Sequence, residues 1–281
     1  MRQILAIILV AYQLATLVAS AQTPEYSIEA IRYSTSPGVL ASELIVGLPP
    51  TLAAQKIDIA MVFWLIRGGG RVILFDSGFH RSTYLKEFPA KDFLSPDQAL
   101  RTAGVEPEQV TDVVISHAHW DHVGGIDLFP KAQVWIQKEE YQYYTGEVWQ
   151  PNGDHGGFDP EDMKVLLQLN IDGRLHLIDG DNVEIFPGIH AYTGARHTYA
   201  SQYLCVQGTP SYVLASDNAY FYRNMSEHLA SATFSDADHA ANIANQVRMI
   251  RLAGAIDRVV PGHDPLQFER FPTKGRVAKI K

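Results

Sequence analysis

The chain has 281 residues, of which 46% are hydrophobic and 19% charged, a mix that excludes wholesale disorder and fibrous repeats. Asp and Glu outnumber Lys and Arg by 31 to 23, giving a net charge of −8. A surface that acidic repels phosphate backbones, so nucleic acid is not an expected partner.

In chain order, the first segment reads as an export signal. Met1-Arg2 is a short basic start, Ile4 to Val18 is apolar apart from Tyr12, Gln13 and Thr16, and Ala19-Ser20-Ala21 offers small residues for a signal peptidase. The apolar run is shorter than the roughly 20 residues a spanning helix needs. Cleavage after Ala21 is expected, leaving residues 22–281 as a single domain, periplasmic or secreted, with no stable membrane anchor. Strands are predicted at Ile59 to Ile66 and Arg71 to Phe75, separated by Gly68-Gly69-Gly70. Ser95 to Ala103 reads as a helix with Ser95 as its cap, and Val110 to Ser116 as a β-branched strand. A strand over Ala132 to Gln137 passes into a helix over Lys138 to Tyr144. Residues 145–160, rich in Gly, Pro and Asp, read as a loop or insertion. Further strands are expected at Leu175 to Ile178, Asn182 to Ile185, Ile189 to Thr193, Gln202 to Val206, Ser211 to Ala215 and Arg258 to Val260. Between the last two, Ala237 to Ala253 has the three-to-four spacing of a helix. The basic segment Arg270 to Lys281 is expected to be a solvated tail. Many strands with intervening helices suggest two packed sheets covered by helices. Cys205, the only cysteine, can form no intramolecular disulfide and reads as a buried small hydrophobe.

The chemistry concentrates in Ser116-His117-Ala118-His119-Trp120-Asp121-His122-Val123-Gly124-Gly125, directly after the strand Val113-Val114-Ile115. Three imidazoles and a carboxylate so close together are costly to bury without a cation. In an extended segment His117 and His119 point the same way; Asp121 and His122 point elsewhere as a helix begins. One metal can take the first two and a second metal the last two, while Gly124 and Gly125 allow close packing. Further ligands must come from downstream, and His197, Asp217 and His263 each follow an apolar strand. Asp217 can bridge through its two carboxylate oxygens. Asp76, in Phe75-Asp76-Ser77-Gly78, reads either as a turn residue or as an acceptor that orients a ligating His. Of the other histidines, His155 in the Gly-rich loop is the one considered for substrate contact.

These motifs resemble the metallo-β-lactamase superfamily over roughly residues 28 to 268: Asp76-Ser77-Gly78, the H-x-H-x-D-H run, His197, Asp217 and Pro261-Gly262-His263. The resemblance implies an α/β fold, the αββα sandwich of two mixed sheets flanked by helices. It implies two metals, most often Zn2+, with Fe, Mn or Co compatible with the same donors. On that pattern His117, His119 and His197 hold one metal, Asp121, His122 and His263 the other, and Asp217 bridges them. Within the superfamily the N-acyl-homoserine lactonases are most similar, since Asp217-Asn218-Ala219-Tyr220 supplies their Tyr three residues after the bridging Asp. The stretch Thr193-Gly194-Ala195-Arg196-His197 departs from their usual T-P-G-H. The expected reaction is lactone opening by water acidified between the two cations, with Tyr220 donating to the oxyanion and Asp121 relaying the proton. The partner is then a small molecule, and a homodimer is left open. Apolar residues between Val39 and Met61, with Trp149 and Phe158, are expected to line an acyl pocket. The rival readings are β-lactam hydrolysis, which the bridging Asp217 opposes, thioester hydrolysis, and persulfide oxidation on a single iron. A non-enzymatic scaffold would lack a ligand, and none is missing.

Overall fold

The computed structural model describes residues 23–281; the expected export segment, residues 1–21, lies outside the described residues. In chain order the strands are β1 (Ser27–Leu40), β2 (Lys56–Gly68), β3 (Arg71–Phe75), β4 (Asp112–Val114), β5 (Gln133–Gln137), β6 (Leu175–Ile178), β7 (Val183–Phe186), β8 (Ile189–Thr193), β9 (Gln202–Val206), β10 (Tyr212–Ser216), β11 (Val259–Pro261), β12 (Thr273–Lys274) and β13 (Val277–Lys279). One sheet runs β12-β13-β1-β2-β3-β4-β5-β6 and the other β11-β10-β9-β8-β7. Both are mixed. β3 through β6 pair in parallel while β1, β2 and β3 pair antiparallel; in the second sheet β10 and β11 are the parallel pair.

The continuous apolar run of β2 follows from burial on both faces. Met61, Phe63 and Leu65 point to the helix-covered side, whereas Ala60, Val62, Trp64 and Ile66 point at the second sheet, the period of two that a pleated strand imposes. Ile189, Ala191, Leu204, Val206 and Leu214 fill the same layer from the other side. Beyond it, Tyr203, Cys205, Val213 and Ala215 pack against Met249 and Ala253 of the helix His239–Ala253. The layer order is helix, sheet, sheet, helix, as expected. Burial pushes the Cys205 thiol up to about 11, which leaves it an inert core residue.

The helix expected after Ser95 spans Pro96–Arg101 with a Ser95/Gln98 capping box, and the helix Lys138–Tyr144 has the expected bounds. The basic C-terminal segment is not a solvated tail. β12 and β13 form a hairpin, and β13 pairs antiparallel with β1. Ala278 and Ile280 are buried while Lys279 between them is exposed, so the lysine masks an alternating strand. The 14-residue β1 and the helix Pro160–Ile171 also lay beyond the sequence reading.

Candidate metal centre

The expected donors leave the sheets just after strand ends. Beyond β4 the chain bends at Ser116 and again at His119 and then makes one helical turn, Trp120–Val123. His197 lies past the end of β8, Asp217 directly after β10, and His263 after β11. Three non-glycine residues beside these donors, Asp76, Arg196 and Ser216, have φ of 65°, 51° and 46°. Left-handed backbone at such residues costs about 1–3 kcal/mol and concentrates where function requires it. Gly125 permits a close approach: a Cβ there would lie 2.1 Å from the Ser77 carbonyl oxygen.

All seven donors come together. Ligand atoms of His117, His119, His197 and Asp217 lie within 4.8 Å of one another, as do those of Asp121, His122 and His263. His119 Nδ1 is 3.0 Å from His117 Nε2 and 3.1 Å from His197 Nε2. Asp217 stands between the groups. Its Oδ2 is 3.4 Å from both His197 Nε2 and His122 Nε2, and its Oδ1 is 3.1 Å from His263 Nε2. Asp121 Oδ2 is 3.4 Å from His122 Nε2 and 3.6 Å from His263 Nε2.

The far side of each ring is fastened. His197 Nδ1 donates to the Ala232 carbonyl at 2.8 Å and His263 Nδ1 to the Ala60 carbonyl at 2.9 Å. A carbonyl only accepts, so these contacts turn the Nε2 lone pairs toward the cluster. Asp76 Oδ2 lies 2.9 Å from His122 Nδ1, and the same carboxylate accepts from the Ser116 N–H and from the Ser116 and Ser216 hydroxyls. Ser116 Oγ is 2.8 Å from His117 Nδ1. Of its two sequence readings, this places Asp76 against the candidate donor His122, and Ser116 and Ser216 extend its hydrogen-bond network.

Burial holds the His117 and His197 imidazoles below their ordinary range and takes His119 to about 3, leaving neutral rings suited to a cation. Burial would raise the Asp217 carboxyl, but His263 and His122 hold it well below the carboxylate range. His122 Nε2 and Asp217 Oδ1 are buried without a hydrogen-bond partner. Uncompensated buried polar atoms of this kind are expensive. Five imidazoles and two carboxylates in two adjoining groups fit a dinuclear divalent-metal site.

Beside the cluster lies a cavity of about 210 Å³. Val39, Leu44, Ile59 and Met61 form part of its wall, within the early segment expected there, and Phe88 and Trp120 add to it. Its polar lining includes Tyr220, Asp121, Asp217 and Glu43, with no Lys or Arg among the described residues. Tyr220 is 7% exposed, its ring stacked 5.4 Å from His263 and edge-on to His197. Burial and the Asp217 carboxylate hold its phenol well above the usual range, so it stays a hydrogen-bond donor.

The insertion differs from its expected role. Trp149 donates to the Tyr144 carbonyl, Phe158 packs on His119 and Tyr144, and exposed His155 stacks on Trp149; none of the three lines the cavity. The loop reaches the cavity through Gly157 and braces His119. Gly157, at φ +83°, accepts from the Trp120 N–H, and a Cβ there would come 3.0 Å from the His119 ring. A further side chain escaped the sequence reading: Glu140, fully buried behind the His117–His119 and His197 segments.

The sequence pattern of the Metallo-beta-lactamase superfamily matches residues 62–263. Among curated relatives, N-acyl homoserine lactonase AiiB of Agrobacterium fabrum (strain C58 / ATCC 33970) is 26% identical over 191 residues, covering 62% of this chain and 68% of the relative. N-acyl homoserine lactonase AttM of Azorhizobium caulinodans is 28% identical over 177 residues, covering 61% and 65%. The crystal structure of a quorum-quenching N-acyl homoserine lactone lactonase superposes with a TM-score of 0.71 at 21% identity, covering 88% of this chain and 95% of that one. The dizinc quorum-quenching lactonase AidC, holding its product, gives 0.64 at 16% identity, covering 86% and 88%. At these identities the structural likeness speaks for the fold.

Proposed function

The chain belongs to the metallo-beta-lactamase superfamily, and on that footing we propose that it is a dinuclear zinc hydrolase that opens lactones of the N-acyl-homoserine type. The observation that carries this reading is the wall chemistry of the cavity beside the donor cluster. It is largely apolar, bears one phenol donor, and is lined by the carboxylates of Glu43, Asp121 and Asp217 with no Lys or Arg among the described residues. Such a wall suits an uncharged ester with an aliphatic tail, each buried CH₂ contributing about 0.8 kcal/mol. A β-lactam or a glutathione thioester brings carboxylates that would find no Lys or Arg among the described residues of the wall, only the cations themselves. The curated lactonase relatives support the same direction.

His117, His119 and His197 would hold one cation, Asp121, His122 and His263 the other, with Asp217 shared. A bound pair of divalent cations supplies Lewis acidity that polarises an ester carbonyl and acidifies water. The protein's own contribution is placement. The Tyr220 phenol donates to charge developing on the carbonyl oxygen, and Asp121, on the cavity wall, takes the proton released. The apolar wall holds the tail so that the ester faces the cluster.

The test is a hydrolysis panel on the zinc-loaded protein: lactones of several tail lengths, a β-lactam, a thioester and a phosphodiester. Lactone turnover should dominate, and dominant β-lactam cleavage would overturn the assignment. The export reading rests on Met1 to Ala21 alone; a mature protein beginning at residue 22 in the extracytoplasmic fraction supports it, and retention of Met1 sinks it.

A further inference from the structure

Directly behind one group of imidazoles lies a carboxylate that neither the donor set nor the cavity uses. Glu140, on the helix Lys138–Tyr144, is fully buried. Its Oε1 accepts from the Ala118 N–H at 2.9 Å and from the Thr198 hydroxyl at 2.7 Å, and its Oε2 accepts from the Ala200 N–H at 2.7 Å. Ala118 separates His117 from His119, and Thr198 follows His197. A single side chain thus ties together the two segments that carry three of the imidazoles. One turn further along the same helix, the Tyr144 hydroxyl accepts from the Tyr199 N–H at 3.2 Å, and its ring stacks on Phe158, which lies against His119.

The other group is held from elsewhere. The Tyr33 hydroxyl donates to the Asp121 carbonyl, Asp76 receives His122, and the Ala60 carbonyl receives His263. Burying a carboxylate with no ion pair among the described residues is costly, and the three donors aimed at Glu140 offset part of that cost only while it stays bidentate. Resting on the two-cation reading above, the geometry points to Glu140 as a positioning residue that sets the cation affinity of the His117–His119–His197 group and leaves the Asp121–His122–His263 group alone. Gln cannot replace it. An amide presents an NH₂ at one end, so in either orientation a donor would face a backbone N–H.

The experiment titrates the metal-free full-length protein with Zn²⁺ against a competing chelator, and with Co²⁺ followed by its visible absorption. Wild type should take up two equivalents. In Glu140→Gln one equivalent weakens by about 10- to 100-fold with altered Co²⁺ bands, and the other keeps its wild-type affinity. His197→Ala marks which equivalent is lost. Thr198→Val, which removes one of the three hydrogen bonds, should weaken the same equivalent by less, and it keeps the test open if Glu140→Gln does not fold. Equal weakening of both equivalents, or wild-type affinity for both, overturns the assignment. A wild-type chain that takes up fewer than two equivalents instead defeats the two-cation reading on which it rests.

Discussion

On the proposed mechanism Tyr220 works through its hydroxyl rather than its ring. The ring is wedged between His263 and His197, and Phe would fill the same space. Tyr220→Phe should therefore keep two bound cations and a similar KM while kcat falls about a hundredfold, the usual cost of one oxyanion donor. Unchanged turnover would leave Tyr220 a packing residue. A different kind of residue effect is expected at Asp162, buried beside Arg81 with Oδ2 lacking a hydrogen-bond partner. Burial raises its carboxyl to about 7; Asp159 and Asp127 push the same way, against Arg81 and His80. An unfolded Asp titrates at about 3.9. Between these values the folded chain holds a proton that the unfolded chain has released, so stability falls as pH rises through that window. Asp162→Asn cannot titrate, and its melting temperature should gain on wild type between pH 5 and pH 8; a constant difference would refute the shift. The donors and Asp76 were legible in sequence because polar residues directly after apolar strands are conspicuous. Glu140 was not, because Lys138-Glu139-Glu140-Tyr141 looks like a solvated face. Only the helix's orientation separates exposed Glu139 from buried Glu140; the hint available was Tyr144, four residues on and so on the same helical face.

Among the elements, the C-terminal hairpin matters more than its composition suggests. β13 covers one edge of β1, and further backbone bonds join Ile28 to Ile280 and Lys281. Deleting residues 273–281 would remove that ladder and bare the edge of β1. Burial of Ile280 alone is worth roughly 1.5–3 kcal/mol. The truncated protein should melt several degrees lower and self-associate through the exposed edge, detectable by light scattering; an unaltered melt and a monodisperse sample would show the hairpin to be dispensable. The short strands of the second sheet were readable because β-branched and apolar runs stop at Gly, Asp or Pro. β1 hid because its middle, Ser34-Thr35-Ser36, is polar, yet Ser34 and Ser36 are buried there.

For the molecule as a whole, the donors are shared between the two sheets. His117, His119, Asp121 and His122 follow β4 of the larger sheet, whereas His197, Asp217 and His263 follow strands of the smaller one. Cations held there would brace one sheet against the other, since they bind the folded state and not the open chain. Chelation followed by desalting should lower the melting temperature, and stoichiometric Zn²⁺ should restore it; a melt indifferent to the chelator would count against any such brace. The layered architecture could be anticipated from alternating strands and helices, but this division of donors could not, because sheet membership is decided by pairing across distant segments. It has a consequence for biosynthesis. A ribosome completes the first four donors well before it reaches the last, so a nascent or prematurely ended chain has an incomplete grip. Capture of both ions would then be a finishing event, a chemical receipt that translation has passed residue 263 and that both halves have closed.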